Sequence, residues 1–168
     1  MPVVMLSGPI GAGKTTIARE LVTLSPAPLC FLEGDTFWPI FAKPDAKPPR
    51  ERFRLLMRSV TAAAVPLARG GYEVLLDFSF PLDFLETARK ILKEIPLDFI
   101  VVRPSLAVCE QRAAARPEGK IADYGAYRDF YTMFEGLPQH EICDDEADAA
   151  SIARRIRAGL DHGIFRLK

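Results

Sequence analysis

The sequence is poor in cysteine. Its 168 residues include only three, Cys30, Cys109 and Cys143, an odd number spread along the chain. Disulfide-stapled domains and zinc sites need closely and regularly spaced cysteines. We therefore expect neither a disulfide framework nor a zinc site, and we interpret the three residues as reduced thiols in the protein interior.

An excess of charge of either sign is also missing. Lys and Arg together number 22, as do Asp and Glu, so the formal net charge is zero. Without an overall basic field to attract a polyanion, nucleic acid is a poor candidate for a partner. Small, discrete ligands fit this charge balance better.

Long apolar runs are absent, because no stretch approaches the roughly 20 residues that cross a membrane. No charged and then apolar leader is present at Met1. We therefore expect a cytoplasmic protein that does not bind membranes. Hydrophobic residues make up 49% of the chain, enough for one two-sided core, so we predict a single domain over residues 1–168.

One segment near the amino terminus carries most of the functional information. It fits the pattern G-x-x-x-x-G-K-[ST] at every fixed position and reads Gly8-Pro9-Ile10-Gly11-Ala12-Gly13-Lys14-Thr15. An apolar run precedes it from Val3 to Leu6, and Ile17 and Leu21 then recur at helical spacing. A strand before and a helix after are the context that a phosphate-binding loop requires.

Phosphate binding accounts for each residue type in this loop. Glycine allows the backbone to adopt positive φ and to approach phosphate oxygens, so the amides from Gly8 through Ala12 to Gly13 can point at the anion. Lys14 would contact the β- and γ-phosphates, and the hydroxyl of Thr15 would hold a magnesium ion. We include Thr16 in the nucleotide-binding set, where it caps the helix or packs beside it.

Strands and helices alternate along the chain. The predicted strands are Val3–Leu6, Leu29–Leu32, Tyr72–Leu76, Phe99–Val102 and His140–Cys143. Six helices are predicted. The first begins at Lys14 and the second follows a loop over residues 43–49. The other four cover Leu82–Lys93, Ser105–Ala115, Asp123–Glu135 and Ala147–Leu160. Such alternation favours parallel strands with helices on both faces of the sheet. We predict an α/β fold of three layers, the P-loop nucleoside triphosphate hydrolase fold, with five strands in the order 2-3-1-4-5.

Two aspartates follow predicted strands at the edge where ligands of such sheets gather. Asp77 ends an apolar run and has the position of a residue that holds magnesium or orients an acceptor; alternatively it only ends the strand. Asp35 could orient an acceptor hydroxyl and take its proton, or it could cap its own turn. Either carboxylate could act as the base.

Several arginines are candidates for phosphate or acceptor contacts. Arg112 and Arg116 lie one turn apart, before a segment with the composition of a mobile lid, and we place the lid at residues 112–128. Closure could bring one of the two guanidinium groups onto the transferring phosphoryl group, or both could lie at a solvated helix end. Another four, on the helix after the 43–49 loop, could hold an anionic acceptor or form a solvated face: Arg50, Arg52, Arg54 and Arg58.

With these residues the chain resembles the small P-loop kinases of the shikimate, gluconate, adenylate and chloramphenicol phosphotransferase type. Bacterial gluconate-kinase-like and AAA-type proteins are similar in the turn Glu33-Gly34-Asp35 and in the segment Leu76 to Pro81. The resemblance implies that Asp35 contacts the acceptor, that Arg112 stacks on adenine and that Arg116 touches phosphate. ATP and magnesium are the implied cofactors.

Two departures from these families narrow the hypothesis. Leu82 follows Pro81 where adenylate kinases have arginine, which disfavours a nucleoside monophosphate as acceptor. The chain contains no asparagine, so the GTP-specific Asn-Lys-x-Asp motif cannot be present and ATP is preferred. We predict an ATP-dependent phosphotransferase that acts on a hydroxyl of a small metabolite or antibiotic. The alternatives are a nucleoside or nucleotide kinase, and a nucleotide-dependent switch or binding module.

Overall fold

Five parallel strands form the centre of the molecule. The computed structural model describes residues 1–43, 46–117 and 119–167. The strands are β1 (Val3–Ser7), β2 (Leu29–Glu33), β3 (Glu73–Asp77), β4 (Leu97–Val102) and β5 (Glu141–Ile142). Their order across the sheet is β2-β3-β1-β4-β5, and each neighbouring pair is parallel. The predicted fold class and strand order are therefore confirmed.

Helices cover both faces of this sheet. They are α1 (Lys14–Leu24), α2 (Pro49–Arg69), α3 (Leu85–Leu92), α4 (Leu106–Ala114), α5 (Arg128–Thr132) and α6 (Ala149–Asp161). Successive strand residues point to opposite faces. In β1, Leu6 packs in the cluster that includes residues of α1 and α6, whereas Met5 packs in the cluster that includes residues of α2 and α3. The result is one sheet between two helical layers.

The strand register brings the candidate residues to one edge of the sheet. Asp77 at the end of β3 is paired with Leu6 on one side and with Glu33 at the end of β2 on the other. The phosphate loop leaves β1 one residue after Ser7. Parallel strands therefore deliver the loop, Asp77 and the turn that contains Asp35 to the same edge.

Two helix predictions differ from the structure. The predicted helix Asp123–Glu135 is wrong as a continuous element, because only a 3-10 turn at Gly125–Tyr127 and the short α5 form there. Aromatic side chains of this segment pack on opposite faces of the sheet, Tyr131 in one cluster and Phe134 in the other, and one regular helix does not serve both. The helix predicted from Leu82 begins as a 3-10 turn and becomes α3 at Leu85.

The connection between β2 and α2 is more ordered than the predicted loop. A 3-10 helix covers Gly34–Ile40, and α2 begins at Pro49, where the missing amide hydrogen of proline costs nothing. Pro44 and Asp45 of the predicted loop, and Glu118 of the predicted lid, lie outside the described residues. Among the helices of the described residues, none combines the length and the apolar character needed to cross a membrane.

Candidate active site

The loop between β1 and α1 is held against two other segments by its glycines. Gly8 has φ +143°, and a Cβ there would lie 2.1 Å from the carbonyl oxygen of Val102. Gly11 has φ +83°, and a Cβ there would lie 2.2 Å from the carbonyl oxygen of Cys109. Because both neighbours are backbone atoms, no side-chain rotation could relieve either contact. The loop therefore keeps its shape only with glycine at both positions.

The first turn of α1 is left open for an anion. Gly13 adopts the left-handed conformation just before the helix, and no side chain among the described residues caps it. The first turn also contains no acidic residue. Unpaired amide hydrogens and the positive end of the helix dipole therefore face the loop, which is the arrangement that binds phosphate.

Lys14 lies inside the loop and near acidic side chains. Its Nζ donates a hydrogen bond to the carbonyl oxygen of Pro9 at 3.0 Å. Burial lowers the pKa of Lys14, while the carboxylates of Asp77 and Asp35 oppose that shift. The ammonium group is thus kept close to the position where a polyphosphate chain would lie against the loop amides.

Thr15 and Asp77 meet directly. The Thr15 hydroxyl donates to Oδ2 of Asp77 at 2.6 Å, and Asp77 is 3% exposed. Burial raises the pKa of Asp77, and the charge of Lys14 together with the hydrogen bond from Thr15 opposes that rise. A hydroxyl and a carboxylate are the hard oxygen donors that Mg²⁺ prefers, and phosphate oxygens and water complete such sites. These two side chains therefore fit the magnesium ion that the loop implies.

A cavity of about 700 Å³ opens beside the phosphate loop. It is lined by residues of the loop, the 3-10 helix after β2, α2, the segment after β3, and the predicted lid with α5. Three of the predicted site residues line it together, namely Lys14, Asp35 and Arg116. Its volume is within the range of small-molecule sites. The sheet edge thus offers a phosphate-binding loop and an adjoining chamber.

Asp35 is held at the cavity by its own turn. Its Oδ1 accepts a hydrogen bond from Nε1 of Trp38 at 3.3 Å. The preceding Gly34 is pressed against Phe78, since a Cβ on Gly34 would lie 2.4 Å from a ring carbon. The glycine lets the turn approach the segment after β3, and this leaves the exposed carboxylate of Asp35 at the cavity wall.

Arg112 lies against the phosphate loop instead of lining the cavity. Its Nη1 donates to the carbonyl oxygen of Ala12 at 3.5 Å, and it lies 3.7 Å from the position of a Cβ on Gly13. The two arginines predicted one turn apart therefore lie at different parts of the site, because Arg116 lines the cavity. Thr16 is exposed on the first turn of α1.

Of the remaining basic candidates, some line the cavity and others do not. Arg50 and Arg54 of α2 line the cavity, whereas the lining does not include Arg52 or Arg58. In the predicted lid, Arg128 forms an ion pair with Glu110 at 2.9 Å.

Sequence analysis missed two kinds of site residue. Tyr124 donates its hydroxyl hydrogen to the carbonyl oxygen of Ile10 at 2.7 Å, which links the predicted lid to the phosphate loop across 114 positions. No local pattern could have indicated that pair. Phe53 also lines the cavity, on the same helical face as Arg50, Arg54 and Met57. The spacing of three and four residues along α2 is a signal that could have found this face.

The fold and the phosphate loop are similar to those of P-loop small-molecule kinases. Residues 1–158 match the family model described as chloramphenicol phosphotransferase-like protein, and the chain belongs to that family. No sequence relative was found among curated proteins.

Solved structures show the same fold. A sugar kinase from Janibacter is similar with a TM-score of 0.70 and 23% identity, over 96% of this chain and 95% of that one. The tunicamycin resistance protein of Deinococcus radiodurans has a TM-score of 0.74 and 16% identity, over 99% and 98%. The Mycobacterium tuberculosis APS kinase, in complex with AMPPNP and APS, has a TM-score of 0.69 and 21% identity, over 95% and 97%.

Proposed function

We propose that this protein transfers the γ-phosphoryl group of ATP to a hydroxyl of a small molecule. One observation carries the proposal: Lys14 of the phosphate loop shares a cavity with Asp35 and Arg116. A cation for the phosphate, a carboxylate for the hydroxyl and a guanidinium for the developing charge are the groups that phosphoryl transfer uses. ATP is the preferred donor, because the chain contains no asparagine and therefore lacks the GTP-specific Asn-Lys-x-Asp motif.

Each side chain has a distinct task. Lys14 and the loop amides bind the polyphosphate, with Thr15 and Asp77 as the protein ligands of magnesium, which neutralises phosphate charge when bound. Thr16 supports the first turn of α1, and Arg112 holds the adenine side of the nucleotide. Asp35 orients the acceptor hydroxyl and accepts its proton as the new bond to phosphorus forms and the bond to ADP breaks.

Arg116 belongs to the segment 112–128, which we propose to be the lid of a single domain. Closure of this segment would exclude water and bring the guanidinium onto the equatorial oxygens of the transferring group. Arg116 is exposed and already lines the cavity, so closure would need only a small displacement to bring it onto phosphate. Tyr124 limits that movement, because its hydrogen bond to Ile10 ties the far part of the lid to the phosphate loop.

Replacement of Lys14 and of Asp35 tests the two halves of the proposal. For Lys14→Ala we expect phosphoryl transfer to fall by about 1,000-fold, because a positioned cation is lost from the transition state. For Asp35→Asn we expect ATP binding close to wild type and transfer reduced by about 100-fold or more, because the general base is lost. ATP binding is measured by calorimetry. Phosphoryl transfer is measured with ATP labelled in its γ-phosphate, as the appearance of label in each member of a panel of hydroxyl-bearing metabolites.

Other outcomes would identify other functions. Near-normal transfer by Lys14→Ala would contradict its assignment, and equal loss of binding and transfer in Asp35→Asn would indicate a structural role. Labelling of mononucleotides in the same panel would identify a nucleotide kinase. Capture of a protein partner only with ATP, with no acceptor labelled, would identify a switch. Absence of ATP uptake by the folded, magnesium-supplemented protein would overturn the enzymatic assignment.

A further inference from the structure

Two arginines in the cavity have no role in the phosphoryl transfer described above. Arg50 and Arg54 lie one turn apart on α2 and both line the cavity. Among the described residues, neither guanidinium group forms an ion pair or hydrogen bond. Like charges at this helical spacing repel one another, which destabilises an isolated helix. An anion between them would remove that repulsion.

The charges of the cavity wall indicate the charge of that anion. Four cationic side chains line the cavity, Lys14, Arg50, Arg54 and Arg116, against the two carboxylates of Asp35 and Asp83. Lys14, Arg116 and Asp35 are engaged by the phosphoryl group and the acceptor hydroxyl. Of the cavity-lining charges that remain, Asp83 contributes one negative charge and the two arginines contribute two positive charges. One positive charge is left over, although the chain as a whole is neutral.

The rest of the wall is mostly apolar and includes five aromatic side chains. The ring of Phe53 lies 6.4 Å from Trp38, 5.3 Å from Phe78 and 5.9 Å from Phe130, centroid to centroid. These four rings all line the cavity, and they come from four different segments of the chain. A surface of this kind favours a flat apolar body, through area burial and ring contacts. A highly hydroxylated ligand would leave polar groups against the rings without partners.

We propose, on the basis of the function above, that the acceptor is a monoanionic alcohol with a flat apolar body, whose anionic group is bound by Arg50 and Arg54. Its hydroxyl lies at Asp35 and its body lies against Phe53 and the neighbouring rings. A planar guanidinium donates two parallel hydrogen bonds to a carboxylate, and a pair of them gives geometric selection for that group. Arg50 and Arg54 are then specificity-determining residues.

Matched pairs of acceptors that differ only in charge test this proposal. The panel contains aromatic alcohols, each as the carboxylate and as its neutral carboxamide, beginning with para-(hydroxymethyl)benzoate and para-(hydroxymethyl)benzamide. We expect kcat/KM to be about 10-fold to 100-fold higher for the carboxylates, the range of a hydrogen bond to a charged group. In Arg50→Gln and Arg54→Gln each preference falls by about 10-fold, and in the double variant it disappears.

The control removes a charge from the same helix outside the cavity. Arg69→Gln takes a guanidinium from the exposed carboxyl end of α2, so the preference for carboxylates is expected to remain. If Arg69→Gln lost as much of the preference for carboxylates as Arg50→Gln or Arg54→Gln, the preference would come from the long-range electrostatic field of the helix. That result would overturn the assignment of Arg50 and Arg54. Three other results would also overturn it: a preference for the amides, a preference for the carboxylates that survives in the double variant, and no labelling of any carboxylate. Labelling of a mononucleotide on its phosphate would likewise overturn the assignment.

ATP uptake, measured by calorimetry in parallel on every variant, separates this proposal from the function on which it rests. Normal ATP uptake with transfer that does not discriminate between carboxylates and amides refutes only the anionic acceptor. Failure of the wild-type protein to take up ATP refutes the kinase itself.

Discussion

The two sides of the candidate site are built in different ways. On the nucleotide side, backbone approaches backbone, since a Cβ on Gly8 or Gly11 would meet a carbonyl oxygen at little more than 2 Å. On the acceptor side, side chains project from helices into a cavity, and Trp38 remains 39% exposed. Backbone packing tolerates almost no change, whereas a helix face can exchange one side chain for another. The nucleotide side should therefore be rigid and the acceptor side adaptable.

The strongest test of this contrast is a methyl group added to the phosphate loop. For Gly11→Ala we expect loss of ATP binding and a free energy of unfolding lower by about 3 kcal/mol or more, because left-handed strain and a clash with Cys109 add together. Gly71→Ala is the matched control, since φ is +92° there and nothing lies within 4 Å of the added carbon. That variant should lose only about 1 to 2 kcal/mol.

Urea unfolding and ATP calorimetry measure both variants. Similar destabilisation by the two substitutions would show that the carbonyl of Cys109 moves away easily, and the nucleotide side would then not be rigid.

A smaller effect is expected when one hydroxyl is removed and the backbone is kept. Thr15→Val leaves Oδ2 of Asp77 without its 2.6 Å donor and removes one proposed magnesium ligand. We expect transfer to fall by about 10-fold to 100-fold, and more magnesium to be needed for half-maximal rate. Thr15→Ser, which keeps the hydroxyl, should restore most of the rate.

The control for this substitution is Thr23→Val on the same helix. Thr23 is exposed and its hydroxyl donates to the carbonyl oxygen of Arg19 on its own helix, so the magnesium requirement should not change. An unaltered magnesium dependence in Thr15→Val would remove Thr15 from the proposed metal site.

The smallest effect is expected on the acceptor side. Phe53→Leu keeps an apolar side chain but removes the ring that contacts three others. We expect the acceptor KM to rise by about 3-fold to 10-fold, because ring contacts contribute about 0.5–1.5 kcal/mol, while the Kd of ATP stays unchanged. Leu55→Ala, an exposed position on the same helix outside the cavity, should change neither quantity. A parallel rise in the Kd of ATP would show that the two sides are not independent.

Prediction from sequence succeeded where structure is local. The phosphate loop, the helix after it and the alternation of strands with helices depend on residues close together in the chain, and the structure has them at the predicted places. The helix predicted from Ser105 also forms, as α4, and the side chain of Ser105 caps it by accepting a hydrogen bond from the amide of Val108. The prediction of a continuous helix over Asp123–Glu135 was wrong because the aromatic residues of this segment pack in two different hydrophobic cores. That division is decided by tertiary packing.

The sequence by itself determined the class of site, because glycine, lysine and threonine at fixed spacing specify a backbone conformation and a charge within a few residues. Only the tertiary structure decided that Arg112 lies on the phosphate loop, that Arg116 lines the cavity, and which arginines of α2 accompany it. The contacts from Arg112 and Tyr124 to the loop join residues 100 and 114 positions apart. Such pairs follow from the strand order and from packing on both faces of the sheet, which no local pattern encodes.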